Sequence, residues 1–157
     1  LTSSKRVELA IKAVAKLGST SLMIVGDGNL KTEIQSLGKQ LLKRRFQLIS
    51  ASYSEMPKIY RAADVFTLPS ESYHAFEVVL VEAMATGLGV VANYDEIRKK
   101  IVGNAGILVN PTNIDEYAKA LMKALKTNWG DNPRNQAKKF DWDKISYKYE
   151  ELFNKIT

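Results

Sequence analysis

SLMIVGDGNLKTEIQSLGKQLL, residues 21–42, runs from a short apolar segment through a glycine turn into a helical period, and that passage decides the fold. Residues 21–25 are apolar enough for a short buried strand. The strand stops at Gly26-Asp27-Gly28, and Leu30, Ile34, Leu37 and Leu41 then recur at helix spacing. Upstream, Val7, Ala10, Ile11, Val14 and Leu17 mark a helix with Ser3 or Ser4 as its N-cap. Downstream the alternation repeats: FQLIS from Phe46, a short helix through Ile59 and Tyr60, VFTL from Val65, an apolar helix from about Phe76 to Ala85, then GVVA from Gly89 and GILV from Gly106.

Short apolar strands alternating with helices suit a parallel sheet covered on both faces. The expected class is therefore α/β, a doubly wound Rossmann-like parallel sheet, with ligands bound at the carboxyl ends of the strands. Such a unit normally opens with a strand, whereas this sequence opens in a loop leading to a helix, so the first strand is expected to be absent from it. After Pro111, Ile114, Tyr117, Ala118, Leu121, Met122 and Leu125 form one helical stripe, with Asn113 and Glu116 at capping-box spacing. A break at residues 128–133 precedes a last amphipathic helix carrying Trp142, Ile145, Tyr149, Leu152, Phe153 and Ile156, whose aromatics are expected to pack on the body.

At 157 residues and 45% hydrophobic composition the chain suits one domain with a single core. No apolar run approaches the roughly 18 residues of a membrane span, and no signal-peptide pattern opens the chain, so a cytoplasmic protein is expected. Zero cysteines exclude disulfides, thiolate metal sites and cysteine nucleophiles, and the single histidine, His74, makes a zinc site improbable. The net charge of +6 favours an anionic partner. Its basic runs, Lys43-Arg44-Arg45 and Arg98-Lys99-Lys100 among them, lie at helix ends without interleaved aromatics, so nucleic acid is not expected. Basic faces could dock peripherally on an anionic membrane, although helix-end charge accounts for them more simply.

The glycine turn is a weak dinucleotide fingerprint, because Lys31 stands where the third glycine is due and no acidic residue ends the next strand. More informative is HAFEVVLVEAMATG from His74, a helix apolar nearly all round that still carries Glu82. A buried carboxylate needs hydrogen-bond donors, which ribose hydroxyls, an arginine or backbone amides could each supply. Free amides around Phe76, Glu77 and Val78 make a natural anion site, unless Glu77 caps them itself. His74 reads as a loop residue near a ligand rather than as a general base.

In this order and spacing the segments resemble the retaining group 1, or family 4, glycosyltransferases of the GT-B class. The likeness runs through KRVELAIKAVAKL at Lys5, LMIVGDG at Leu22, MPKIYRAADVFTLPS at Met56, VEAMATGLGVVA at Val81, AGILVNP at Ala105 and FDWDKISYKYEELF at Phe140. The resemblance implies the C-terminal, donor-binding half of a two-domain enzyme, with an N-terminal acceptor domain outside this sequence. It implies a nucleotide-diphosphate sugar as donor, no cofactor and no bound metal. Glu82 would contact the ribose, Lys5 the phosphate, and the backbone around Ser52 and Tyr53 the nucleobase. The family's first signature glutamate, which touches the donor sugar, is here His74, and Glu71 just upstream could take that contact. Where the family usually has glycine beside the diphosphate, this sequence has Glu77.

Overall fold

The structure, a computed structural model, describes residues 1–72 and 76–156. Helix α1 (Val7–Ala15) is followed by β1 (Leu22–Val25), α2 (Lys31–Leu42) and β2 (Phe46–Ile49). The alternation continues with α3 (Met56–Arg61), β3 (Val65–Leu68), α4 (Val78–Ala85), β4 (Gly89–Asn93), α5 (Glu96–Val102) and β5 (Gly106–Val109). Three helices close the chain: α6 (Ile114–Lys126), α7 (Asn132–Ala137) and α8 (Trp142–Ile156).

Every strand pair is parallel, as the alternation requires. β1 lies beside β2 with Leu22 opposite Phe46, and β3, β4 and β5 follow in that order with Val65 opposite Gly89 and Val90 opposite Gly106. The ladder comes in two parts, a pair and a triplet, rather than as one continuous sheet. Residues 1–4 bridge the carboxyl ends of the two parts. There Leu1 O accepts from Leu30 N at 3.2 Å, and Ser4 O accepts from Glu71 N at 2.9 Å.

β4 shows how both faces are filled. Val91 points into a core made with Ile11 and Val14 of α1 and Tyr117 and Leu121 of α6, while Val90 and Ala92 enter a second core with Leu80 and Met84 of α4 and Ile101 of α5. A strand buried on both faces has no polar alternation to offer, which is why GVVA reads as a continuous apolar run. The strands also approach closely at Gly106, where a Cβ would stand 2.2 Å from the Val90 carbonyl oxygen. Because backbone cannot step aside as a side chain can, Gly106→Ala is expected to cost about 1–3 kcal/mol, read as a lower urea midpoint at unchanged m.

Four local expectations are corrected. α1 is not capped by Ser3 or Ser4: Ser3–Lys5 form a short 3-10 turn, and Arg6 takes the N-cap position at φ 46° and ψ 39°. Its side chain explains the left-handed backbone, since the guanidinium donates to Pro69 O at 2.9 Å and Ser70 O at 3.1 Å and pins α1 to the end of β3. α4 starts at Val78 rather than at Phe76. The expected break ends two residues early, where a short helix, α7, begins at Asn132; its Gln136 donates to Lys100 O at 3.1 Å and to Ile101 O at 2.9 Å, binding it to the end of α5. Finally, the α8 aromatics do not pack on the body. Trp142 is 75% exposed, no α8 residue is buried, and Tyr149 pairs with Phe153 on the helix itself at 6.4 Å between ring centroids. An amphipathic period announces a helix with a face to cover, and does not say what covers it.

At α6 half of the expected capping box forms: the Asn113 side chain accepts from Glu116 N at 3.2 Å, while Asn113 N donates to Asn110 O at 3.2 Å.

Candidate functional site

The carboxyl ends of the strands carry two polar clusters. At the end of β1 and β2, Lys31 Nζ donates to Asp27 Oδ2 at 2.6 Å, and Gly28 N donates to the other carboxylate oxygen at 2.8 Å. Ser50 Oγ joins at 3.3 Å from Asp27 Oδ2. The Lys31 hydrogen bond, then the Gly28 amide, hold the Asp27 carboxyl below the usual aspartate range. Lys31, where a fingerprint would need glycine, therefore ties the turn to the start of α2.

At the end of β3 and β4 the organising residue is Arg98 of α5, only 2% exposed. Asp95 caps α5 by accepting from Arg98 N at 2.7 Å, and the same carboxylate accepts from the guanidinium at 2.5 Å. From Nη2, Arg98 also donates to Ser70 Oγ at 2.7 Å, Glu71 O at 3.0 Å and Glu77 Oε1 at 2.9 Å. One guanidinium thus joins the segment after β3, the start of α4 and the N-cap of its own helix. Burial alone would raise the Asp95 carboxyl, but the Arg98 amide and charge outweigh it and hold the group below its usual value.

The expected site residues are distributed around these clusters. Lys5, on the turn before α1, places Nζ 3.6 Å from Glu77 Oε2. Glu77 is the N-cap residue of α4, yet its side chain makes no cap bond and turns to Arg98, Ser70 and Lys5 instead. Glu71 is held through its main chain, by Ser4 on one side and Arg98 on the other. Lys5, Glu71 and Glu77 are therefore brought together. Phe76 and Val78 flank them at the start of α4, both exposed, with the Phe76 ring 5.4 Å from that of Phe140.

Ser52 and Tyr53 stand apart, after β2. Ser52 N and Oγ both donate to the Glu55 carboxylate, at 2.8 Å and 2.6 Å, and the Tyr53 side chain is 81% exposed. Half-buried Glu82 receives the Tyr60 hydroxyl on Oε2 at 2.9 Å, so among the described residues its donor is a phenol rather than an arginine or an amide. Burial first, and then Glu82, push the Tyr60 hydroxyl well above the ordinary tyrosine range and keep it a donor. His74 lies outside the described residues. Among the described residues no group of three or more His, Cys, Asp or Glu could hold a metal ion.

A family model described as glycosyl transferases group 1 matches residues 1–127. The chain belongs to the group 1 glycosyltransferases. An exopolysaccharide phosphotransferase of Streptomyces coelicolor is 32% identical over 99% of this chain and 18% of its own length. A phosphatidyl-myo-inositol mannosyltransferase of Mycolicibacterium smegmatis is 28% identical over 93% of this chain and 39% of the relative. Among solved structures, the Anabaena protein HepE in complex with UDP-glucose superposes with a TM-score of 0.87, at 23% identity over 99% of this chain and 46% of that one, a likeness of fold. This group 1 chain thus spans less than half of each of these proteins.

Arg98 was the residue sequence reasoning missed, having been grouped with Lys99 and Lys100 as helix-end charge. A signal for it exists. Arg98, Ile101 and Val102 fall at i, i+3 and i+4, which puts the arginine on the buried stripe of α5, and Asp95 stands three residues before it.

Proposed function

We propose that this chain is the donor-binding part of a glycosyltransferase that transfers a sugar from a nucleotide-diphosphate sugar with retention of configuration. The observation that carries the reading is the meeting of Lys5, the start of α4 and the Arg98 cluster at the carboxyl ends of β3 and β4. In a parallel α/β sheet that edge is where ligands bind, and cations with helix amides are what a diphosphate requires. In this reading Lys5 and the amides of residues 76–78 hold the diphosphate, and stabilise charge as it leaves. Glu82 takes the ribose: Tyr60 uses one of its oxygens, and a carboxylate has acceptor capacity for further hydroxyls. Ser52 and Tyr53 meet the base, and His74 or Glu71 the donor sugar. No cofactor or metal is assigned. The acceptor belongs to an N-terminal domain, so the chain alone binds without turnover, in the cytoplasm or at a membrane face.

Several relatives are named for glycolipid or polysaccharide synthesis, and solved neighbours hold UDP or UDP-glucose, which supports the nucleotide-sugar reading. The test is calorimetry with UDP. Glu82→Ala is expected to weaken binding by about tenfold or more, the usual price of a lost charge-assisted hydrogen bond, and an unchanged dissociation constant would remove the ribose assignment.

A second reading, a non-catalytic module of the same fold, draws on Glu77, which sets a carboxylate beside Lys5. Thermal shift with UDP, GDP, ADP and NAD separates the two. A ligand at 100 times its Kd stabilises by about 2.7 kcal/mol, and silence from all four favours the module.

A further inference from the structure

Glu77 collects the donors that an anionic ligand would otherwise take. Its Oε1 accepts from Arg98 at 2.9 Å and from Ser70 Oγ at 3.0 Å, and its Oε2 faces Lys5 Nζ at 3.6 Å. The residue also stands at the N-terminal end of α4. Guanidinium, ammonium, hydroxyl and helix start together form the donor set that suits a phosphate group. Here a carboxylate from the chain itself sits among them.

The contacts are unequal, and the inequality matters. Lys5 is half exposed and meets Glu77 at a distance too long for a tight ion pair, so that contact is readily exchanged. Arg98 has a second partner, Asp95, at 2.5 Å, and would stay paired if Glu77 swung away. Its buried Nε has no hydrogen-bond partner among the described residues, so the guanidinium retains unused donor capacity. Glu77 can therefore leave without stranding a buried charge.

We propose that the Glu77 carboxylate is an internal stand-in for a donor phosphate, occupying the Lys5 side of the site until a nucleoside diphosphate displaces it. The proposal rests on the donor-site reading above. It makes residue 77 a determinant of donor affinity: the empty site is already charge-balanced, and an incoming phosphate must compete with a tethered carboxylate rather than meet free cations.

The experiment is calorimetry of the full-length protein with UDP and, separately, inorganic pyrophosphate, which removes the base and ribose from the question. Glu77→Gln is expected to tighten both by about tenfold, the size of one electrostatic contact at a partly exposed site. Lys5→Met should weaken pyrophosphate binding more in the E77Q background than in the unsubstituted protein, because only there is the lysine unshielded. Glu77→Gly is measured in parallel and is read in the same way should the glutamine variant fail to fold. Equal or weaker binding by both variants, with the unsubstituted protein still binding UDP, overturns the stand-in while leaving the donor site in place. If none of the proteins binds UDP or pyrophosphate, the donor-site reading falls and takes this inference with it.

Discussion

Arg98→Met is expected to lower the free energy of unfolding by about 3–5 kcal/mol, the cost of breaking a buried ion pair by removing one partner. The magnitude follows from what methionine leaves behind. Glu77 Oε1, Asp95 Oδ2, Ser70 Oγ and the Glu71 carbonyl each lose a donor, and the two carboxylates lose their buried cation. Methionine keeps much of the volume, so the loss is polar rather than a cavity. A fall in Tm on the order of 10 °C should accompany it. Adding Asp95→Asn and Glu77→Gln to the variant should recover part of the loss, since it is the uncompensated charge that costs most. An Arg98→Met protein as stable as the parent would mean that the cluster contributes no net stability.

The same pair gives the variant a pH signature. Asp95 titrates below its ordinary value in the folded protein, so its contribution is fully present above the unfolded pKa of about 3.9 and is lost as pH falls through the lower folded value. The stability gap between parent and variant should therefore be constant at neutral pH and shrink below about pH 4.

How much of this was legible depends on which interactions leave a periodic trace. The β1 turn and the burial of β4 are written in runs of apolar residues, because a strand covered on both faces has no choice of side chain. α6 is written twice, in its stripe and in the Asn113 cap. α7 left no trace, since NPRNQA has no apolar stripe and is held by one glutamine reaching the carbonyls at the end of α5. α8 was legible as a helix and misread in its environment. For the site, spacing placed α4 to within two residues of its start and picked out Glu82 as a carboxylate within an apolar helix. It could not show that Glu77 turns away from its own helix, because the partner that draws it, Arg98, is 21 residues further along the chain. Long-range polar pairs have no period, and buried charge in a basic run is hidden among its neighbours.

The second large effect lies at Tyr117, where volume and hydroxyl can be separated. Tyr117 is fully buried on α6, in the core that also holds α1 and Val91. Its Oη lies 2.5 Å from Thr67 Oγ1, and Thr67 donates its own proton to Val91 O at 2.9 Å. Tyr117 must then be the donor between the two hydroxyls, and burial, which pushes its phenol well above the ordinary range, keeps that proton in place. Tyr117→Ala removes an aromatic ring from a closed core and is expected to cost about 3–5 kcal/mol. Tyr117→Phe removes only the donor, while Thr67 keeps its bond to Val91, and should cost about 1 kcal/mol. Urea midpoints at a common m-value decide the matter, and a phenylalanine variant as damaged as the alanine one would show that the hydroxyl rather than the ring holds α6 to the sheet. Because Thr67 is on β3, which leads directly into Pro69 and Ser70, the alanine variant should also slacken the segment that receives the Arg98 and Arg6 contacts. On the donor-binding proposal, its UDP affinity should fall with its stability, whereas the phenylalanine variant, with β3 still packed, should bind as the parent does.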